Sequence, residues 1–270
     1  MQRRKLGMAG SLSLLASLCP MIPAQAPKAQ SQAPLGIPQA ASGQPATVQK
    51  WVQPGKDWSY LFETYRSANR QLPPPAPGES RVVFMGDSIT ENWGAKNNQD
   101  LGESFPGKPY LNRGISGETS PQMLVRFRQD AVDLRPAAVV ILAGTNDIAG
   151  NSGPMELGDT EANLQSMSDL AAANGIRVVL CSVLPAKAFT WNPGINPSAK
   201  IVELNRWIRQ YAQSRGFPYV DYYDAMVDVD GGLKRELSAD GVHPNGKGYA
   251  VMAPLVQAGI EAALGKPGAR

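Results

Sequence analysis

The sequence contains very few of the residues that build metal centres and disulfide frameworks. Its 270 residues include two cysteines, Cys19 and Cys181, and a single histidine, His243. So small a set excludes the histidine- or cysteine-rich ligand clusters of structural zinc sites. Cys19 precedes the predicted mature chain, so a mature monomer can form no internal disulfide. Cys181 lies in a predicted buried strand and is interpreted as a small core residue.

An excess of charge of either sign is also missing. The chain carries 26 basic and 23 acidic residues, and charged residues make up 18% of it against 43% apolar ones. Arg3, Arg4 and Lys5 lie in the predicted leader, and without them 23 basic residues face 23 acidic ones. There is no basic run with interleaved aromatic residues, which argues against a nucleic-acid partner. The composition is typical of a globular domain.

No apolar run at the N-terminus is long enough to span a bilayer comfortably. Leu6–Leu18 is a mostly apolar stretch of 13 residues, whereas a membrane helix needs about 20. The stretch follows basic residues and precedes Ala24-Gln25-Ala26, a pattern typical of signal-peptide cleavage that Pro27 weakens. We therefore predict a secretory signal over residues 1–26, with an uncleaved N-terminal anchor as the alternative.

The predicted signal implies export to the periplasm or the medium, with no stable membrane insertion after processing. Lipoprotein anchoring at Cys19 is not favoured, because Leu18 is larger than the small residue expected before a lipid-modified cysteine. Residues 27–50 are rich in Gln, Pro, Ala and Ser, and they predict a disordered linker. A helical extension is predicted over 51–78, followed by the main domain over 79–270.

Helical and extended patterns alternate along the main domain. A first helix is predicted over 57–72, within the extension, where Leu61, Tyr65 and Leu72 form one apolar stripe. From Arg81 onward, strands are predicted at 82–85, 109–112, 138–143, 177–184 and 218–221. Helices are predicted between and after them at 89–95, 120–133, 156–174, 198–215 and 246–264. Strands separated by helices predict an α/β fold, with a five-stranded parallel sheet covered on both faces.

Polar or glycine-rich turns follow three of the predicted strands. Ser88 follows the first strand, Gly114 follows the second, and Asn146 follows the third. Because the carboxyl ends of parallel strands meet at one edge of a sheet, these three residues are predicted to converge. Gly114 would let a backbone N–H approach a ligand closely, and Asn146 could offer its side-chain amide. Taken alone, each position also fits a helix cap or a tight turn.

His243 supplies the only imidazole in the chain. A serine nucleophile near neutral pH needs a base, usually an imidazole, that a third group orients. Asp240 precedes His243 by three residues, and a local turn can bring its carboxylate against the ring. The predicted set is therefore Ser88, His243 and Asp240, the alternative being a surface histidine beside a turn aspartate. Other aspartates that could orient the ring are Asp221, Asp224, Asp228 and Asp230.

Four short segments resemble, in order, the four diagnostic blocks of the SGNH (GDSL-type) hydrolases. They are Gly86-Asp87-Ser88-Ile89-Thr90, Asn112-Arg113-Gly114, Gly144-Thr145-Asn146-Asp147 and Asp240-Gly241-Val242-His243. Ile89 stands where the family name has leucine, which is a common variation. The resemblance covers residues 81–264. It implies a flavodoxin-like three-layer α/β/α sandwich, and it implies no metal or organic cofactor.

The resemblance also assigns a role to each of the candidate residues. It implies that Ser88 is the nucleophile, that His243 is the base and that Asp240 orients the imidazole. It further implies an oxyanion hole formed by the N–H groups of Ser88 and Gly114 and by the side chain of Asn146.

The reaction implied is hydrolysis of a short-chain ester, with acetyl as the expected acyl group. The chain is similar to the compact acetylhydrolases of the platelet-activating-factor type, and no long insertion that would form a lid lies between Ser88 and His243. A small-molecule or glycan ester is the expected partner, and the oligomeric state stays open. Trp191 is interpreted either as an aromatic wall for the substrate or as a residue packed on its own loop.

Two other functions remain open at this point. One is a lysophospholipase or thioesterase of the same fold. The other, from a different class, is a non-catalytic carbohydrate-binding module that keeps the fold without turnover. The presence of the complete set argues against the second, because a protein without activity has no need of it; the set is Ser88, Gly114, Asn146, Asp240 and His243.

Overall fold

The computed structural model describes residues 58–94, 101 and 104–265. The predicted signal peptide over 1–26, the predicted linker over 27–50 and Cys19 lie outside the described residues. No helix in the described part of the chain is both long and apolar enough to cross a membrane.

Five strands form a single parallel sheet. They are β1 (Val82–Gly86), β2 (Tyr110–Gly114), β3 (Ala138–Leu142), β4 (Arg177–Cys181) and β5 (Tyr219–Val220). Their order across the sheet is β2-β1-β3-β4-β5, and every pairing is parallel. The chain therefore changes its direction of winding between β1 and β3. In an open α/β sheet, ligands bind at the carboxyl ends of the strands beside such a switch point.

Eight α-helices accompany the sheet in the described residues. They are α1 (Trp58–Gln71), α2 (Ser88–Glu91), α3 (Ser120–Asp130), α4 (Thr145–Ile148), α5 (Leu157–Ala173), α6 (Ser198–Arg215), α7 (Tyr222–Met226) and α8 (Gly246–Gly265). Val83 and Met85 face a core shared with α3, α5 and α6. Val82 and Phe84 point to the other side, toward α7 and α8. Alternate residues of β1 thus enter two separate cores, which is why the strand is apolar throughout.

The layered arrangement confirms the predicted α/β/α sandwich with its five-stranded parallel sheet. The differences are local. β5 has two residues where four were expected, and α2 ends at Glu91 rather than near residue 95. Two helices, α4 and α7, are absent from the prediction, because helices of four or five residues show no measurable apolar periodicity.

Helix α1 reaches the end of β2 through polar contacts. The Tyr65 hydroxyl donates to the carbonyl oxygen of Gly114 at 2.5 Å, and the Arg113 guanidinium lies 4.8 Å from the Tyr65 ring centre. Asn69 accepts a hydrogen bond from Arg113 Nε at 3.0 Å and donates to Asp130 at 2.6 Å. These contacts join α1 to the end of β2 and to the end of α3.

Candidate active site

Ser88 lies at the carboxyl end of β1 as the first residue of the one-turn helix α2. Asp87 caps this helix by accepting a hydrogen bond from the Ile89 N–H at 2.9 Å. Gly86 has no room for a side chain, because a Cβ there would lie 2.1 Å from the Thr90 hydroxyl oxygen. The glycine therefore permits a tight turn that places Ser88, partly exposed, at the edge of the sheet.

The loop before α8 carries His243 and is closed by its own polar groups. Asp240 Oδ1 accepts hydrogen bonds from the N–H groups of Val242 at 2.9 Å and His243 at 2.8 Å. Ser238 donates its hydroxyl hydrogen to the same oxygen at 3.1 Å, and it accepts one from the Gly241 N–H at 2.9 Å. This local bonding fixes the Asp240 carboxylate next to the imidazole.

The serine, the histidine and the aspartate lie within hydrogen-bond distance of one another. Ser88 Oγ is 2.9 Å from His243 Nε2, and His243 Nδ1 is 2.7 Å from Asp240 Oδ2. Burial acts to raise the pKa of Asp240, but hydrogen bonds from the His243 side chain and from backbone N–H groups lower that pKa to about 2. The ionised carboxylate can hold a proton on Nδ1, which leaves Nε2 free to accept one from Ser88.

Asn146 lies in α4, at the carboxyl end of β3, and contacts the turns that follow β1 and β2. Its Nδ2 donates to Asp87 Oδ2 at 3.1 Å and to the carbonyl oxygen of Glu118 at 2.9 Å. Asp87 is buried, and desolvation raises its pKa to about 7 even though the Ile89 N–H acts to lower it. The turns that follow β1, β2 and β3 thus meet at the Asn146 amide.

Gly114 and Gly117 differ in the availability of their backbone N–H groups. The N–H of Gly114, the expected oxyanion donor, already donates to Asn112 Oδ1 at 2.9 Å. The N–H groups of Gly117 and Ser88 have no hydrogen-bond partner in the described part of the chain. Gly117 also has a φ of +79°, a conformation that favours glycine. The geometry therefore favours Gly117 over Gly114 as a backbone donor, because only its N–H is unoccupied.

Gly114 instead has a packing role that a substitution would expose. A Cβ at Gly114 would lie 2.2 Å from the backbone nitrogen of Glu91 and 2.8 Å from the carbonyl oxygen of Asp87. These backbone atoms cannot give way without moving the turn that carries Ser88. We therefore expect Gly114→Ala to lower the free energy of unfolding by about 1–3 kcal/mol or more, measured by urea denaturation.

Gly158→Ala is the matched control for this substitution. Gly158 lies in α5, and nothing stands within 4 Å of an added Cβ. Alanine is the better helix former there, so the free energy of unfolding is expected to rise by up to about 1 kcal/mol. Equal destabilisation by the two substitutions would contradict the packing role of Gly114.

Trp191 lies beside the histidine, in the loop between β4 and α6. Its ring centre is 6.0 Å from that of His243 and 5.0 Å from that of Phe189, on which it stacks. The residue is 41% exposed, and its Nε1 donates to Asn151 Oδ1 at 2.9 Å. An exposed aromatic face therefore borders the histidine, with its polar edge already paired.

Two further carboxylates near the site, Glu91 and Asp147, bind backbone groups of the neighbouring loops. Glu91 accepts a hydrogen bond from the Ser116 N–H at 2.8 Å. Asp147 accepts hydrogen bonds from the N–H and the hydroxyl of Ser120. Burial raises the pKa of Asp147, and these hydrogen bonds act in the opposite direction. Both residues hold the loop after β2, and neither contacts the Ser88 hydroxyl by a hydrogen bond.

The four segments are also matched by a family model. The model of the GDSL-like Lipase/Acylhydrolase family matches residues 84–251, which is more than half of the chain. The chain belongs to this family. The predicted resemblance to GDSL-type hydrolases is therefore confirmed, and the enzyme class is that of a carboxylic ester hydrolase.

Two solved structures and one further protein are similar to this acylhydrolase. The structure of a protein from Bacteroides fragilis that is described as an acylhydrolase is 47% identical in sequence, with a TM-score of 0.72. The match covers 77% of this chain and 99% of that one. The structure of a GDSL-like lipase from Bacteroides thetaiotaomicron is 43% identical in sequence, with a TM-score of 0.72. The match covers 77% of this chain and 100% of the lipase chain. An acetylxylan esterase from Xylanibacter ruminicola is 28% identical over 253 residues, 78% of this chain. The match spans about half, 52%, of that esterase's length.

In this GDSL-like acylhydrolase a buried ion pair supports the loop that carries Gly117. Arg126 Nε lies 2.7 Å from Glu118 Oε1, and both side chains are almost fully buried. Arg126 also donates to the carbonyl oxygen of Arg113 at 2.8 Å and to Asp130 at 3.0 Å. Desolvation acts to lower the pKa of Arg126, but the two carboxylates keep it raised. Sequence reasoning missed this pair, because neither residue lies at a strand end and no local pattern joins them.

Proposed function

We propose that this GDSL-like acylhydrolase is an exported serine esterase that removes short acyl groups, chiefly acetyl, from carbohydrate esters. The observation that carries the proposal is the contact of Ser88 Oγ with His243 Nε2 at 2.9 Å and of His243 Nδ1 with Asp240 at 2.7 Å. In serine esterases the nucleophile is hydrogen-bonded to a base, and the base is hydrogen-bonded in turn to an orienting carboxylate. The geometry supports these roles for Ser88, His243 and Asp240.

In the proposed reaction Ser88 Oγ attacks the carbonyl carbon of the ester while His243 Nε2 takes the hydroxyl proton. The Asp240 carboxylate stabilises the imidazolium that forms. His243 then returns the proton to the leaving alcohol as its C–O bond breaks, and the acyl group stays on Ser88 as an ester. A water molecule that loses a proton to His243 attacks this ester, and the acid is released with regeneration of the Ser88 hydroxyl.

The negative charge of the tetrahedral intermediate needs donors at the same edge of the sheet. The free N–H groups of Ser88 and Gly117 are two, and the Asn146 amide is proposed as the third. The Asn146 Nδ2 donates to Asp87 at 3.1 Å and to the Glu118 carbonyl oxygen at 2.9 Å in the structure, so one of its two hydrogens must be shared with the oxyanion or turned toward it. Loss of one such donor typically lowers kcat by about 10²–10³-fold.

The proposed substrate class is supported by the surroundings of His243. No long insertion between Ser88 and His243 would enclose an extended acyl chain. The exposed face of Trp191, whose ring centre is 6.0 Å from that of His243, is flat and apolar and suits a sugar ring. A relative with 28% identity is named an acetylxylan esterase, which points to the same acyl group and the same kind of alcohol.

Export is part of the proposal and rests on the predicted leader over residues 1–26 and the predicted linker over 27–50, both outside the described residues. An enzyme that acts on a polysaccharide must meet it outside the cytoplasm, so the leader and the proposed substrate are consistent. The extension over 51–78 and the hydrolase domain over 79–270 would act in the periplasm or the medium.

Rates on p-nitrophenyl esters of increasing acyl length test the proposed specificity. A longer acyl chain gains binding energy only where a hydrophobic pocket buries it, at about 1–3 kcal/mol per methylene. The described loops around Ser88 offer no long lid, so we expect kcat/KM to be highest for the acetate ester. For the octanoate ester we expect kcat/KM to be lower by a factor of about ten or more. A clear preference for octanoate would contradict the short-acyl proposal, and it would favour a lysophospholipase or thioesterase of the same fold.

A further inference from the structure

Asn151 follows α4 and links three parts of the site that come from separate segments. Its Nδ2 donates to Asn146 Oδ1 at 2.7 Å and to the carbonyl oxygen of Gly117 at 3.3 Å. Its Oδ1 accepts a hydrogen bond from Trp191 Nε1 at 2.9 Å. Both polar atoms of this half-buried side chain are therefore bonded to residues of the proposed site. None of the four diagnostic segments contains Asn151.

The bond to Asn146 is compatible with only one of the two ways in which the Asn146 amide can be turned, and it holds the oxygen end in that orientation. The two ends of an amide are similar in shape but opposite in hydrogen bonding. Because Asn151 presents an N–H, the oxygen of Asn146 faces it, and Nδ2 is directed at Asp87 and Glu118. Without the Asn151 side chain, the oxygen end loses its partner, and the two hydrogen bonds of Nδ2 to Asp87 and Glu118 alone hold the amide.

The backbone around Asn151 does not depend on this side chain. The Asn151 N–H donates to the carbonyl oxygen of Asn146 at 3.0 Å, and Asn151 forms an isolated bridge with Gly153. Substitution of the side chain therefore leaves the turn after α4 with its main-chain hydrogen bonds. This separates a change in the orientation of the Asn146 amide from a loss of the fold.

The bond to Trp191 connects the amide to the aromatic face. The loop that carries Trp191 is also attached through Asn192, whose Nδ2 donates to the carbonyl oxygen of Ala149 at 2.9 Å. The loop is thus joined to the turn after α4 at two points. A group that binds on Trp191 acts on a ring that is hydrogen-bonded, through Asn151, to the Asn146 amide.

We propose that Asn151 is a positioning residue, which holds the Asn146 donor in its productive orientation and couples it to the aromatic face of Trp191. This inference rests on the proposed function, because it takes Asn146 as an oxyanion donor. Asn151 makes no hydrogen bond to Ser88 or His243 in the described residues, so it acts through Asn146. Its loss is expected to raise the energy of the transition state and to leave ground-state binding of a small ester unchanged.

Asn151→Asp is the most informative variant, because it keeps the size of the side chain and an oxygen for Trp191. It replaces the N–H donor by an oxygen that faces the oxygen of Asn146. We expect kcat on p-nitrophenyl acetate to fall by about 10–100-fold with KM within about twofold. The inhibition constant of a small boronic acid, which forms a tetrahedral adduct with an active-site serine, is expected to rise by the same factor as kcat falls.

Three companion variants define what the result means. Asn151→Ala is expected to lower kcat in the same direction, and its thermal unfolding is expected to stay close to that of the wild type. Trp191→Phe keeps an aromatic ring and removes the indole N–H, so its fall in kcat is expected to be smaller. Asn174→Ala changes an asparagine at the end of α5 that donates to the Leu170 carbonyl, and it is expected to keep wild-type constants.

A double-mutant cycle with Asn146→Ala shows whether Asn151 acts through Asn146. The inference predicts that Asn151→Ala has little further effect once Asn146 is alanine. Full additivity, or wild-type kcat in both Asn151 variants while Asn146→Ala is impaired, would overturn the inference and leave the proposed function intact. Wild-type kcat in Asn146→Ala itself would instead reject the proposed oxyanion role of Asn146, and the inference with it.

Discussion

Replacement of Ser88 by alanine is expected to lower kcat for p-nitrophenyl acetate by about 10⁵–10⁶-fold. The hydroxyl lies 2.9 Å from His243 Nε2, and without it there is no atom to attack the ester or carry the acyl group. Binding of the ester and the oxyanion donors stay in place, so a small residual rate above that of water is expected. Initial rates at saturating ester, with purified protein of verified thermal stability, measure the effect.

Ser166→Ala is a suitable control for handling and folding. Ser166 is a half-buried serine in α5 whose hydroxyl donates to the Ala162 carbonyl at 2.8 Å, far along the chain from the proposed nucleophile. This variant is expected to keep the wild-type rate. A wild-type rate in Ser88→Ala would reject Ser88 as the nucleophile, whatever the control shows.

Asp240→Asn is expected to lower kcat by about 10⁴-fold while leaving the loop in place. An asparagine oxygen can still accept the N–H groups of Val242 and His243, which now bond to Asp240 Oδ1. The amide nitrogen, however, would face His243 Nδ1 and donate a hydrogen bond to it. The ring would then carry its proton on Nε2, where it cannot take the proton of the serine.

The pH dependence of this effect follows from the pKa of Asp240. Hydrogen bonds lower that pKa to about 2 in the folded protein, although burial acts to raise it. The stabilisation from this carboxylate is therefore present above its ordinary pKa and is lost as the pH falls toward about 2. Asp240 stays ionised between about pH 5 and pH 8, so the ratio of the wild-type kcat to the Asp240→Asn kcat should not shrink through its titration in this range. Asp230→Asn, in an exposed loop, is the matched control and should keep the wild-type rate.

Features that depend on short stretches of chain could be predicted from the sequence. β1 and β3 are unbroken apolar runs because helices cover both faces of the sheet. The glycine turns that follow them mark the edge where Ser88 and Asn146 lie. The closeness of Asp240 to His243 also needs only a turn of three residues. In each case the interacting groups are neighbours along the chain, or the regular order of the sheet brings them together.

Features that depend on distant side chains could not be predicted in this way. Gly114 is the last residue of β2 and Gly117 lies three residues beyond it, and only the contact of Gly114 with Asn112 Oδ1 distinguishes their N–H groups. Asn151 contacts Gly117 across 34 positions and Trp191 across 40. Such contacts leave no periodic pattern in the sequence, because each one depends on how separate loops are packed.

Labelling with a fluorophosphonate, followed by mass mapping of the peptides, tests most directly whether His243 activates Ser88. One adduct per chain is predicted on the Ser88 peptide, with none in Ser88→Ala and formation slower by about 10²-fold or more in His243→Ala. An adduct on another residue of the folded protein would contradict this account. So would the absence of any adduct, which would favour a non-catalytic carbohydrate-binding module.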